Sequence, residues 1–143
     1  MDYFLARFEP DGDGILVTFP DLPEAISGGA DEAEAMANAV DALEVTLLTY
    51  AGDGRSIPVP SRRTRDSSYR HIPVSATISA KLAFIEAFRA SGLTRVALAA
   101  RLGKAETEIR RMLDPYHRTK LPAIEEGLKA LGKRLVVTVE EAA

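Results

Sequence analysis

The stretch that decides the fold is Leu93-Thr94-Arg95-Val96-Ala97-Leu98-Ala99-Ala100-Arg101-Leu102-Gly103-Lys104-Ala105-Glu106-Thr107-Glu108-Ile109-Arg110-Arg111-Met112-Leu113. It reads as two short helices around a tight turn at Gly103. Thr94 is placed to cap the first helix by accepting from a free backbone N–H. Leu98, Ala99 and Leu102 share one face of that helix, and Ile109 and Met112 share one face of the next. Gly103 supplies the positive φ that a sharp stop demands. Asp114-Pro115 closes the second helix. Small Ala99 lets the helices cross closely, and such a crossing offers the second helix to a DNA major groove. A helical hairpin inside a core has the same pattern, so the stretch alone leaves both uses open.

The surrounding composition is that of a soluble globular protein. The chain has 143 residues, 46% of them apolar and 27% charged, enough for one domain or two small ones. No apolar run approaches the length of a membrane span, and the N-terminus begins in a strand-like pattern without signal-peptide character. There is no cysteine, which removes disulfides and thiolate metal sites and suits a cytoplasmic setting. The net charge of -3 hides an asymmetry. Residues 1–79 hold 6 Lys and Arg against 13 Asp and Glu, whereas residues 80–143 hold 12 against 8. An acidic half joined to a basic half implies two partners of opposite preference, the basic half suiting nucleic acid and the acidic half a basic protein.

From the N-terminus, Tyr3–Phe8 alternates as a strand. Asp11-Gly12-Asp13-Gly14 is turn chemistry, and Ile15–Phe19 is the returning strand of a hairpin. Pro20-Asp21-Leu22-Pro23 interrupts the pattern, and Glu24–Gly29 fits a short third strand. A helix then opens at Asp31, with Glu34 completing a pair like a capping box. Met36, Val40, Leu43, Leu47 and Tyr50 form its expected buried stripe, flanked by Ala35, Ala39 and Ala42, and Gly52-Asp53-Gly54 stops it. This predicts a three-stranded antiparallel meander with one helix across a face. Residues 55–71 read as a connector, extended by Pro58 and Pro60 and made basic by Arg62, Arg63, Arg65 and Arg70, with a solvated loop favoured over a phosphate contact. Ile72–Ile78 reads as a further strand with Val74, Ala76 and Ile78 on one side, possible as a fourth member of the sheet.

Ser79 is the expected cap of a helix over Ala80–Ala90, with Leu82, Ile85 and Phe88 as its stripe. After the two-helix unit, Tyr116–Lys120 is short and basic. Leu121, Ile124, Leu128 and Leu131 mark another helix, with Pro122 tolerated in its first turn and Gly132 as its stop. Leu135–Val139 reads as a last strand that pairs across a dimer or with the first domain. The chain thus reads as α+β, with domains at 1–78 (including the connector 55–71) and 79–143.

Catalytic chemistry finds little to use. His71 and His117 stand at no ligand spacing from one another. Asp11 and Asp13 belong to a turn before they belong to a metal. No phosphate-cradling loop or nucleophile elbow is present. The expectation is a protein that is not an enzyme and needs no cofactor or metal.

The spacing of small Ala99, Gly103 and β-branched Ile109 resembles the Cro/repressor class of helix-turn-helix. The chain as a whole resembles the HicB antitoxin family. The residues that carry the likeness are Phe19-Pro20-Asp21-Leu22-Pro23, Ile26-Ser27-Gly28-Gly29, Ala39-Val40-Asp41-Ala42-Leu43 and Val59-Pro60-Ser61. They continue through Ile72-Pro73-Val74-Ser75, Leu113-Asp114-Pro115, His117-Arg118-Thr119-Lys120-Leu121 and Ala130-Leu131-Gly132-Lys133-Arg134-Leu135. The order of these motifs spans nearly the whole chain. Glu24 departs from the family's usual glycine, and Lys104 stands where helix-turn-helix units often bury an apolar residue. The resemblance implies a partial ribonuclease-H-like N-terminal domain without catalysis. It also implies a HicA-type toxin as partner, a small basic RNA-cleaving protein that uses a histidine. Finally, it implies binding to operator DNA as a homodimer or higher homo-oligomer through an all-α C-terminal domain.

On that reading Glu106, Thr107, Arg110 and Arg111 face DNA, by helical spacing from Ile109 and Met112. Arg95, Lys104, Arg118 and Lys120 are placed to meet phosphate. No toxin-contacting residue can be named from the sequence. Two rivals remain: a transcriptional regulator without a toxin, whose N-terminal domain binds another protein or a small ligand, and a weak nuclease.

Overall fold

The structure is a computed structural model describing residues 3–62 and 66–142. Its elements, in chain order, are β1 (Tyr3–Asp11), β2 (Gly14–Thr18), β3 (Ile26–Gly29), α1 (Glu32–Gly52), β4 (Tyr69–Pro73), α2 (Ala76–Ser91), α3 (Arg95–Leu102), α4 (Glu106–Leu113) and α5 (Leu121–Ala130). The fold is mixed α+β and divides into two compact units, Met1–Ser79 and Ala80–Ala143. No helix among the described residues is long and apolar enough to cross a membrane.

The first unit is an antiparallel sheet of order β3-β2-β1-β4 with α1 across it. The meander expected for β1 to β3 is present, and β4 joins it beside β1, with Phe4 opposite Ile72 and Ala6 opposite Arg70. Phe4, Ala6, Phe8, Val17, Ile72, Leu43 and Leu47 are all buried here. α1 starts where Asp31 accepts from the Glu34 amide at 2.9 Å. Glu34 reaches back to the Ala30 amide at 3.3 Å, one residue before the cap.

Three expectations for this unit change. The buried seam of α1 runs through Ala35, Ala39, Leu43, Leu47 and Tyr50, while Met36 and Val40 are only half-buried. The cause is the closeness of β3. A Cβ on Gly29 would stand 2.4 Å from the Ala35 amide nitrogen, and Asn38 donates to the Gly28 carbonyl at 2.7 Å. Only alanine fits a helix held that near a backbone.

Secondly, the strand expected over 72–78 is β4 at Tyr69–Pro73, and Ala76 and Ile78 already belong to α2. Ser75, not Ser79, opens that helix: its hydroxyl accepts from the Ile78 amide at 3.3 Å and its carbonyl from the Ser79 amide at 2.9 Å. Thirdly, the connector is shorter and more engaged than a solvated loop. Ser61 donates through its amide and hydroxyl to the two oxygens of Asp21, at 2.7 and 2.8 Å. Arg55 lies 3.8 Å over the Tyr50 ring and 3.2 Å from Glu24, and Arg70 pairs with Glu32 at 3.0 Å. Arg63 and Arg65 lie outside the described residues. Glu24 uses its departure from glycine: the Tyr50 hydroxyl donates to it and, with Arg55, holds its carboxyl below the ordinary value.

The second unit is helical. Phe84, Leu98, Ile109, Met112, Ile124 and Leu128 form its core, joined by Ala80 and Ala99. Phe84, absent from the expected stripe of α2, is fully buried, whereas Phe88 is half-buried. α5 approaches closely at Gly127, where a Cβ would meet the Phe84 ring at 2.5 Å. Arg101 ties α3 to the end of α5 by donating to the Ala130 carbonyl at 3.2 Å. The expected strand over 135–139 is not formed: residues 133–142 carry no regular element, because a strand needs a partner and this single chain supplies none there.

Candidate nucleic-acid interface

α3 and α4 are set by local chemistry. The Thr94 hydroxyl accepts from the Ala97 amide at 3.1 Å and so caps α3. Gly103 ends α3 at φ 63°, in the left-handed region. The Lys104 amide donates to the Ala99 carbonyl at 3.0 Å and the Gly103 amide to the Ala100 carbonyl at 3.3 Å, the paired closure of a Schellman turn. That closure turns the chain sharply into α4, whose Ile109 and Met112 enter the core. The opposite face of α4 therefore points to solvent by its period alone.

The candidate contact residues fall into three groups. Arg95, Glu106 and Arg110 form one cluster: Glu106 pairs with the Arg95 guanidinium at 3.6 Å and accepts from Arg110 at 3.3 Å, the latter an i,i+4 pair. Glu106 thus holds two guanidiniums on one side of the α3–α4 pair. Thr107 and Arg111 stand exposed beside them, Arg111 reaching Glu108 at 3.8 Å. Arg118 and Lys120 are exposed on the segment before α5, and Lys120 occupies the cap position of α5 without a side-chain cap bond. Lys104 is different. It is half-buried and its ammonium lies 3.7 Å from Glu126, so the residue that replaces the usual apolar one links the turn before α4 to α5 by an ion pair.

Sequence reasoning passed over Lys81. It is 3% exposed, and its ammonium donates to the Met112 carbonyl at 2.8 Å, to the Thr119 hydroxyl at 2.6 Å and to the Arg111 carbonyl at 3.4 Å. Both carbonyls belong to the last turn of α4, where a cation is favoured by the helix dipole, and the Arg111 carbonyl also accepts from the Asp114 amide at 3.2 Å. Burial pushes Lys81 down to about 8, opposed by Asp114. The signal was legible: Lys81 is the one charge in the run Ala80-Lys81-Leu82-Ala83-Phe84-Ile85. The arrangement is a helix anchored at its C-terminal end by a buried ammonium, presenting arginines from its free face. Among the described residues there is no group of three or more His, Asp or Glu that could hold a metal.

Comparison with known proteins gives the wider setting. A family model described as the HicB_like antitoxin of bacterial toxin-antitoxin systems matches residues 3–82. Antitoxin HicB of Escherichia coli is 39% identical over 126 residues, covering 88% of this chain and 89% of its own. Antitoxin HicB 2 of Photorhabdus laumondii is 39% identical over 129 residues, 90% of each chain. Antitoxin HicB of Pseudomonas fluorescens is 30% identical over 141 residues, 99% of this chain and 95% of its own. The crystal structure of the Burkholderia pseudomallei antitoxin HicB aligns with a TM-score of 0.44 at 16% identity, over 77% of this chain and 90% of the other. The match over more than half the chain, and the relatives over nearly all of it, establish a regulatory antitoxin and not an enzyme: the chain belongs to the HicB-like antitoxin family of bacterial toxin–antitoxin systems.

Proposed function

We propose that this antitoxin masks a HicA-type RNA-cleaving toxin with residues 1–78 and represses its own operon with a helix-turn-helix in residues 79–143. It works in the cytoplasm as a homodimer or higher homo-oligomer. The observation that carries the DNA half is the free face of α4, where Thr107, Arg110 and Arg111 stand opposite buried Ile109 and Met112. On a duplex, Glu106, Thr107, Arg110 and Arg111 of α4 meet the major groove, where base edges are read. Arg95, Arg118 and Lys120 meet phosphate, which fixes position and makes binding salt-sensitive. Lys104 joins them only by leaving Glu126. Support for the toxin half is electrostatic: residues 1–79 carry 13 acidic against 6 basic side chains, which suits a basic partner.

The test is a pair of measurements on Arg111→Ala. Operator affinity is expected to fall roughly tenfold at physiological salt, as for loss of one charged contact, while rescue of growth during co-expression with a basic, histidine-containing neighbour protein survives. Loss of both together would sink the division of labour between the two regions. Operator binding without any toxin rescue by the unsubstituted chain would leave a regulator whose N-terminal region serves another ligand.

A further inference from the structure

Residues 133–141 read Lys-Arg-Leu-Val-Val-Thr-Val-Glu-Glu. β-Branched side chains of this kind fit a pleated surface, yet no residue of the segment lies in a strand. Val136, Val137 and Val139 are 73%, 65% and 96% exposed, whereas Leu135 packs on the helical core of the second unit. The order of the residues identifies what covers them. Folded antiparallel on a second copy about Val137, the segment matches itself. Lys133 stands opposite Glu141, Arg134 opposite Glu140, Leu135 opposite Val139, Val136 opposite Thr138, and Val137 opposite its own counterpart. Every charge meets an opposite charge and every apolar residue a β-branched or apolar one, the pairings that stabilise a ladder. A shift of one residue breaks this, setting Leu135 against Glu140 in one direction and Arg134 against Val139 in the other. The open edges of the sheet in the first unit are poorer partners. β3 (Ile-Ser-Gly-Gly) and β4 (Tyr-Arg-His-Ile-Pro) hold no acidic residue to meet Lys133 and Arg134.

We propose that residues 133–141 pair with the same residues of a second copy, making a two-stranded antiparallel ribbon with its two-fold axis at Val137. Such an interface is isologous and closes on itself as a dimer. An isolated two-stranded ribbon is marginal in water. Here Leu135, Val137 and Val139 share one side of the pleat, and Leu135 already rests on its own helical core. That side of the ribbon is covered by the helices of both copies. The inference deepens the homodimer named above and rests on that part of the reading.

The chain has no cysteine, so a single introduced thiol reports its own neighbour. In this register only position 137 faces itself, at the short distance of a directly opposed pair, while position 136 meets its counterpart diagonally. Under mild oxidation Val137→Cys is expected to cross-link at least about tenfold faster than Val136→Cys or Val139→Cys, because diagonal separations exceed disulfide reach. Charge variants test the register independently. The chain with Lys133→Glu and Arg134→Glu, and the chain with Glu140→Lys and Glu141→Lys, each dimerise about 100-fold more weakly than the unsubstituted chain, and mixing them restores a heterodimer. Light scattering of the full-length chains reads the mass, and circular dichroism confirms that the helices persist. A monomeric unsubstituted chain would overturn the dimer and the ribbon together. A dimer that survives Val137→Pro, or cross-links equally at all three positions, would overturn the ribbon and leave the dimer.

Discussion

The two units each bring a helix to a glycine, and they differ in what the glycine faces. In the first, Gly29 of β3 lies against α1, and a Cβ there would stand 2.4 Å from the Ala35 nitrogen and 2.8 Å from the Glu34 carbonyl carbon. In the second, Gly127 of α5 lies against side chains, and a Cβ there would stand 2.5 Å from the Phe84 ring and 3.1 Å from the Met112 methyl. Backbone held by a sheet and a helix at once cannot step aside, whereas an aromatic ring and a thioether can repack. The first unit is therefore fixed by contacts between distant backbone segments. The second is fixed by local caps and by side chains that fill space.

The sharpest way to break that contrast is to add one methyl group to each. Gly29→Ala is expected to cost more than about 4 kcal/mol, enough to unfold the first unit, because strain at an immovable backbone adds to lost packing. Hydrogen exchange should lose protection across β1–β4 and α1 while α3–α5 keep theirs. Gly127→Ala gains about 1 kcal/mol of helix propensity and loses about 1–3 kcal/mol to overpacking, for a net loss of no more than about 2 kcal/mol read from denaturant midpoints. If Gly29→Ala proved as mild as Gly127→Ala, α1 would not be held as close to β3 as described.

Legibility in the sequence followed the same division. Thr94 and Gly103 act within a few residues of themselves, so their roles as cap and stop could be read directly and the structure shows both. The expected α1 stripe holds at Leu43, Leu47 and Tyr50 and fails at Met36 and Val40, where closeness to Gly28-Gly29 selects alanine over size. Ser75 and Ser79 are equal candidates for a cap, and Val74, Ala76 and Ile78 fit a strand as well as a helix start. Only the pairing of β4 with β1, across more than sixty residues of chain, decides between them. The candidate contact residues of α4 could be placed on one face by period. The Arg95–Glu106–Arg110 cluster needed the crossing of α3 and α4, though its i,i+4 half was in the sequence. Leu135–Val139 has strand composition without an intrachain partner, which no reading of local pattern can supply.

Lys81 sharpens the comparison because it is the one buried charge among the described residues of the helical unit, with three acceptors from α4 and the segment beyond it. Lys81→Met leaves those acceptors without the ammonium and relieves its desolvation, so a loss of about 1–2 kcal/mol is expected at pH 7. The pH dependence separates this from a simple packing defect. Lys81 sits at about 8 when folded against an ordinary 10.5. Below pH 8 both folded and unfolded chains hold the proton. Between 8 and 10.5 the unfolded chain binds more protons, so the contribution of this group to stability rises with pH. The gap between the unsubstituted chain and Lys81→Met should therefore widen by about 1.5 kcal/mol from pH 8 to 9.5. A constant gap would mean that Lys81 keeps its ordinary affinity for the proton.

The smallest effect concerns how helices begin. α1 has Asp31 and α3 has Thr94, each accepting from an amide of the first turn. α4 begins at Ala105, which has the extended backbone of a cap, φ -70° and ψ 150°, and no side chain to serve as one. The Glu108 amide of its first turn donates to the Ala105 carbonyl at 3.0 Å, with no side-chain acceptor at the cap. Ala105→Ser puts a hydroxyl at a position whose backbone already suits it, and should stabilise the helical unit by about 0.5–1 kcal/mol. Asp31→Ala should remove a similar amount from the first unit. Thermal unfolding followed by hydrogen exchange in α4 and α1 reads the two separately. A serine that stabilises nothing would show that the start of α4 is held by the Gly103 turn and by Ile109 in the core, so that this helix gains its order from packing where α1 gains part of it from its cap.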